Sequence, residues 1–554
     1  MNSAPSPFLP GHVLVMPPPI LYYCIVEIIS PSKHSGYLSI VLHAHLPFVR
    51  YPEYENHLEE NWLYEAMTET YIPLLDMFGN LLSDGVDFRI TLSVSPTLIS
   101  MFRDSLLMDR YQRYIDSRIE LAEKEIARTR GDRRFAAVVR MYHKRFLEVR
   151  RLFGEVYGRD LTSALGQLVG SGRIELITCP ATHGYLPALV TVPEAAAFQI
   201  AVGAEYFRQV FGKRPAGMWL PECGFVPDID FFLRRTAVGY VFLESHGRPE
   251  KVQAVHAPVI TPSGVAAFSR DGESSGQVWS SIWGYPGDPD YRDFYRDIGF
   301  DMPPHYVGPF TPGGISTFTG LKYYRITGNS GAKKPYVPQR ARNKAELHAD
   351  HFIAARNNRV LFLKERLGTR PVITAAYDAE LFGHWWFEGP DWLNFLLRKG
   401  SKGRHFRFIR PSEYLSLEGE FDTGMPAASS WGEGGYSSTW VNGSNSWIYR
   451  HMTRAARLMK EISERNISQG LLKRAADQAA RELLLAQASD WAFMMKTGNA
   501  SEFARRKFTA HTLNFFNLHS EITSGRVRKK RLEILEQTNN LFPDLDHRMF
   551  GRGC

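Results

Sequence analysis

Six short, apolar, β-rich runs separated by helical stretches constrain this chain more than any other feature. They lie at residues 37–42 (YLSIVL), 87–93 (DFRITLS), 174–178 (IELIT), 216–220 (AGMWL), 240–243 (YVFL) and 372–376 (VITAA). Continuous apolar runs of this length suit strands buried on both faces. Their alternation with helices predicts an α/β protein with a largely parallel sheet. Residues 101–155 interrupt the pattern with a polar, Arg-rich helical segment, expected to be an insertion. Residues 300–340 carry six prolines and several glycines, which predicts a long surface connection of the kind that often bears binding residues. After Pro411 the strand signal stops, and 447–535 reads as amphipathic helices, giving a helical domain over 411–541. The tail, 542–554, has no periodicity and is expected to fray.

Several functional classes are excluded early. Residues 13–26 are apolar but contain Pro17, Pro18 and Pro19, and no Lys or Arg precedes them, so they read neither as a signal peptide nor as a membrane span. Residues 1–36 are read as a disordered extension or an over-long start, with a degenerate export signal as the alternative. The 66 basic and 58 acidic residues leave a net charge of +8, mild for 554 residues. The single compact basic run, 526–531 (RVRKKR), reads as a solvated helix face, so neither nucleic acid nor membrane is an expected partner. Cys24, Cys179, Cys223 and Cys554 have no zinc-ligand or redox spacing, consistent with a cytoplasmic chain. Aromatic residues make up 13% of the sequence; most are expected to pack the core, but their faces also stack on flat ligands such as sugars and nucleobases.

The candidate chemistry sits where strands end, the place where parallel α/β folds assemble their sites. His43 and His45 follow the first strand as HAHLP, with side chains on one side. As a pair they suit a metal, a sugar or a purely structural role. Run 216–220 leads into Glu222 within PECGF. Run 372–376 leads into YDAELFGHWW, which sets Asp378 among bulky aromatics, where desolvation raises a carboxyl pKa toward that of a general acid. Two carboxylates on different strands are the minimum equipment of a glycosidase.

Five ordered motifs then carry a resemblance. They are HAHLP at 43–47, GRIEL at 172–176 leading into ATHG at 181–184, WLPECGF at 219–225, YDAE at 377–380, and SWG at 430–432 with TWVN at 439–442. The chain resembles glycoside hydrolase family 57, and within it the 1,4-α-glucan branching enzyme group, from about residue 36 to about 539. The resemblance implies an incomplete (β/α)7 barrel over 37–410 with a small helical insertion, followed by an all-helical domain closing over the cleft. It also implies a retaining mechanism with Glu222 as nucleophile and Asp378 as acid/base. His43, His45 and His183 become sugar contacts, and no metal or cofactor is required. Trp431 and Trp440 match the family's cleft tryptophans, with Trp279 as a third in preference to Trp283. Trp219, Arg270 and Asp490 complete the expected substrate contacts. The implied substrate is α-1,4-glucan and the implied activity glycogen branching, in a monomer or homodimer. One departure is visible: only nine residues, 248–256, separate Gly247 from Ala257, and no Tyr occurs from 241 to 284. Family branching enzymes carry there a long loop whose tyrosine covers the cleft. A shorter loop admits water to the glycosyl intermediate and favours hydrolysis, so an α-glucan hydrolase or 4-α-glucanotransferase is the alternative.

Overall fold

The computed structural model describes residues 34–249, 255–328 and 332–552. Nine strands are found among them. They are β1 (Gly36–Ala44), β2 (Ile90–Val94), β3 (Ile174–Ile177), β4 (Gly217–Met218), β5 (Tyr240–Leu243), β6 (Val259–Ile260), β7 (Ala266–Ser269), β8 (Val372–Asp378) and β9 (Phe406–Phe408). All six runs read from the sequence contain a strand, and β6, β7 and β9 are additional. Every residue of β1 is buried, as expected of a strand covered on both faces. One sheet has the order β3-β2-β1-β8, with β9 also against β1; the other has β4-β5-β7-β6. All pairs are parallel except β6 with β7. Parallel bridges link the sheets at both ends, Thr178 to Met218 and Arg270 to Thr374. The C-terminal ends of β1, β2 and β8 are thereby level, with His43 in register with both Ser93 and Asp378.

Helices Ser105–Thr129 and Ala136–Arg151 stand in the interrupting segment. The Pro-rich stretch packs against them instead of running free over the surface. Arg118 donates to the Phe310 and Thr319 carbonyls. Asp297 gathers the turn by accepting from the Gly299, Thr319 and Gly320 amides at 2.8, 3.0 and 2.9 Å. A carboxylate with three amide donors satisfies a loop backbone that would otherwise be buried unpaired.

After β9 the chain is helical, with Trp447–Ser463, Gly470–Ala486, Ser489–Thr497, Ser501–Ser524 and Lys529–Thr538 as its main helices. At their centre Glu482 is fully buried, and it accepts from His511, Asn539 and Gln478 at 2.8, 2.7 and 3.0 Å. The basic run forms ion pairs, Arg528 and Arg531 both reaching Glu521. No helix among the described residues is long and apolar enough to cross a membrane.

Two expectations at the ends need correction. The tail does not fray over 542–552: Phe542 and Phe550 are buried, packing on Tyr206 and Phe198 at ring separations of 4.9 and 5.2 Å. Arg481 donates to the Leu541 and Pro543 carbonyls, and His547 bonds Asp477 at 2.7 Å. Isolated aromatics filling separate gaps leave no period in the sequence, which is why the segment read as loose. At the other end, residues 1–33 of the expected extension lie outside the described residues. Ser35 already bonds the His405 carbonyl, and Gly36 is in β1.

Candidate active site

A cleft of about 960 Å³ opens over the C-terminal ends of the strands, between them and the helical domain. Of the sequence-predicted residues, His43, His45, His183, Glu222, Arg270, Trp279, Asp378, Trp431, Trp440 and Asp490 line it. Trp219 does not. It is fully buried, and its ring lies flat beneath His43 at 4.9 Å, so it supports the site from below. The strand-end position of Trp219 was legible, but the face it takes was not. Trp386 is likewise a core residue, packed on Trp392, whereas its neighbour Trp385 reaches the cleft half exposed. Trp283 is 70% exposed and is not part of the lining. No described residue of 300–340 lines it either, because that stretch is held against the insertion.

Local backbone geometry aims the key groups. Glu222 sits in a single 3-10 turn, Pro221–Cys223, with φ 64° and ψ 21°. His183 has φ 58°. Left-handed conformations cost a non-glycine residue of order 1 kcal/mol and persist where the surroundings fix them, most often in functional sites. Here the Trp431 amide bonds the Glu222 carbonyl at 2.9 Å, and Ser489 donates its amide to the His183 carbonyl at 3.0 Å. On the opposite wall, Gly383 has φ 112°, and a Cβ there would lie 1.9 Å from the Glu69 carbonyl oxygen, so only glycine lets this loop close.

The two carboxylates differ in surroundings. Trp431 Nε1 donates to Glu222 Oε2 at 2.8 Å, and the Ser489 hydroxyl lies 2.9 Å from Oε1. Burial pushes the Glu222 pKa up; these two bonds stabilise the charged form and limit the rise, leaving the net shift upward but opposed. Asp378 ends β8. Burial, then the charges of Glu380 and Glu222, push its pKa well above the ordinary carboxyl range, against only Arg270. Glu380 is itself raised to about 7 by burial, and it accepts from the Tyr71 hydroxyl and from the His45 amide. Environments that separate two carboxyls into one proton-holding and one ionised group make an acid and a nucleophile.

Around them lie a polar and an aromatic wall. Arg270 stands 4.9 Å over the Trp431 ring and salt-bridges Glu244. Trp279 meets Trp431 edge-on at 5.9 Å and Trp385 at 6.3 Å, and Trp440 stacks on Tyr185 at 4.8 Å. His45 and His183 stack at 3.9 Å.

His45, His183 and Asp490 each bring a donor atom within 4.8 Å of the others. All four ring nitrogens of the two histidines are hydrogen-bonded within the protein. His45 bonds Ser95 and Asp490. His183 bonds Ser489 and His43. The other close group, Asp477, Asp546 and His547, lies in the helical region and is neutralised by Lys473 and Arg548.

Sequence reasoning missed Ser489, Glu380 and the Glu69–Arg292–His384 cluster. Glu380 stood inside a quoted motif, two residues from Asp378. His384 stood in the same quoted run and Ser489 beside Asp490, whereas Glu69 and Arg292 left no local signal.

A family model described as Glycosyl hydrolase family 57 matches residues 39–427, and one described as 1,4-alpha-glucan branching enzyme, C-terminal, matches 451–550. The chain is 33% identical to the 1,4-alpha-glucan branching enzyme TK1436 of Thermococcus kodakarensis, over 92% of this chain and 77% of that protein. Among solved structures, the alpha-amylase AmyC of Thermotoga maritima is 39% identical with a TM-score of 0.88, covering 93% of this chain and 99% of that one. The GH57-type branching enzyme of Pyrococcus horikoshii is 30% identical with a TM-score of 0.85, covering 93% and 97%.

Proposed function

The chain belongs to glycoside hydrolase family 57, and on that premise we propose that it is a 1,4-α-glucan branching enzyme, with Glu222 as nucleophile and Asp378 as acid/base. The observation that carries this reading is the asymmetry of the two carboxyls. Both line one cleft, yet Glu222 takes two hydrogen bonds that favour its charged form, while burial and like charge push the Asp378 carboxyl well above the ordinary range with no such donor against it among the described residues. The match of 451–550 to a branching-enzyme model favours branching over other family activities. The parallel strands, linked through the two inter-sheet bridges, support an incomplete (β/α)7 barrel.

The chemistry runs in two displacements. Asp378 gives its proton to the glycosidic oxygen of an α-1,4 bond as the C1–O bond breaks, and ionised Glu222 attacks C1 to form a glycosyl ester. Asp378, now a carboxylate, takes the proton from the 6-hydroxyl of an acceptor glucan. That oxygen displaces Glu222 and leaves an α-1,6 linkage. Trp279, Trp385 and Trp431 supply ring surface for the apolar faces of the sugars, whereas Trp440 is fully buried and packs on Tyr185 behind them.

Water attacking the same ester gives hydrolysis, the competing reading. Its support is the nine-residue 248–256 segment and the likeness to the Thermotoga amylase. Incubation with amylose separates the two. Branching creates α-1,6 linkages, counted after debranching, with almost no rise in reducing ends, whereas a rise without branches refutes the proposal. Glu222→Gln abolishes both activities; substantial turnover surviving it refutes the nucleophile.

A further inference from the structure

Ser489, at the start of helix Ser489–Thr497, brings the helical region into contact with Glu222. Its hydroxyl oxygen lies 2.9 Å from Glu222 Oε1 and 2.8 Å from His183 Nδ1. A hydroxyl has one proton, and an ionised carboxylate only accepts. The proton therefore points at Glu222, and the oxygen accepts from His183 Nδ1–H. A neutral imidazole protonated at Nδ1 has a bare Nε2, and the atom facing it is His43 Nε2 at 3.0 Å. His43 must then carry its proton on Nε2, and its bare Nδ1 accepts from the Ser93 hydroxyl at 3.0 Å. Both rings are buried, which holds their pKa well below the usual histidine value and keeps them neutral. The charge on Glu222 thus sets the direction of every bond in the chain Ser93–His43–His183–Ser489–Glu222.

We infer that Ser489 is a positioning residue for Glu222, orienting the carboxylate, stabilising its ionised form and locking His183 and His43 each in one tautomer. This rests on the reading of Glu222 as nucleophile. The helical region then completes the reacting group as well as covering it. In this state the two buried histidines have no nitrogen left for a sugar hydroxyl, so they meet substrate through their rings. The other groups facing Glu222 are Trp431, His183 at 3.7 Å, Asp490 and His45, with Asp378 across the cleft and Tyr185, Cys179 and Cys223 close enough to feel its charge. Docking does not depend on the hydroxyl. The Ser489 amide bonds the His183 carbonyl at 3.0 Å, and Ala488 pairs with Gly184.

The test uses the full chain on amylose with Ser489→Ala, Ser489→Thr and Glu222→Gln in parallel. A hydrogen bond to a charged group corresponds to a rate factor of about 10 to 100. Ser489→Ala should therefore lower kcat by about 10- to 100-fold with KM within about twofold. It should also move the acid limb of kcat/KM up by about one pH unit, since the carboxylate loses a donor. Ser489→Thr, which keeps the hydroxyl, should restore both. An unmoved acid limb with wild-type kcat in Ser489→Ala overturns the inference, as does a loss that Thr does not rescue. If Ala does not fold, Ser489→Cys carries the same expectation, since a thiol is a poor donor. An active Glu222→Gln refutes the parent reading; an inactive one beside an unperturbed Ser489→Ala refutes this inference alone.

Discussion

Replacing Arg292 with Met tests how the cleft wall is held. Arg292 and Glu69 are both buried and lie 2.9 Å apart. Glu69 Oε2 also bonds His384 Nδ1 at 2.7 Å, and Arg292 Nη2 donates to the His384 carbonyl at 3.0 Å. Burial alone would push the Glu69 carboxyl up; Arg292 and His384 override it and hold it well below the ordinary range. Arg292→Met leaves a buried carboxylate without its main partner, a change that costs about 3–5 kcal/mol. Glu69→Gln added to it removes the stranded charge, so the double variant should recover at least half of that loss. The pH dependence has a definite sign. In the wild type a depressed pKa contributes stability above the unfolded value, near 4.3, which is lost as pH falls. In Arg292→Met, burial raises the same pKa above its unfolded value, so the penalty grows as pH rises from about 4.3. The deficit of the single variant should therefore be largest near pH 8 and shrink toward pH 4.5, read from urea or thermal midpoints. A double variant no more stable than the single, or a deficit constant between pH 5 and 8, refutes this account.

Other perturbations address the chemistry and the tail. Trp431→Phe keeps the ring beside Trp219 and Arg270 but removes the 2.8 Å donor to Glu222. Its acid limb in kcat/KM should rise by about one pH unit, a shift absent if the indole acts only by stacking. Asp378→Asn should cut turnover of amylose by about 10²–10⁴-fold while sparing ester formation from a maltosyl fluoride, whose leaving group needs no proton. A fluoride burst lost to the same degree argues for a structural fault instead. Phe550→Ala, at a fully buried site, should destabilise the protein by about 3–5 kcal/mol; no change in unfolding midpoint returns the tail to the frayed reading.

What the sequence disclosed follows a physical line between local and long-range information. A strand covered on both faces must be apolar throughout, so β1 and β8 were visible as runs, and the polar residues just beyond them marked the site. β7 (AAFS) and β9 (FRF) are too short and too ordinary in composition to stand out; their partners define them, Ala267 beside Val241 and Arg407 beside Tyr37. Position along a strand was legible, while the face taken at its end was not. Trp219 and Glu222 stand three residues apart, and the left-handed turn at Glu222 sends one under His43 and the other into the cleft. A serine opening a helix is equally unremarkable until the fold closes a separation of 267 residues and sets its hydroxyl on Glu222. The same holds for Glu69, Arg292 and His384, whose charges balance only once distant segments meet. Motifs therefore locate the groups that react, whereas the groups that hold them ionised, protonated or oriented come from elsewhere in the chain. Those supporting groups set the protonation states on which the proposed mechanism depends, so the Ser489, Trp431 and Arg292 variants test what the motifs alone cannot.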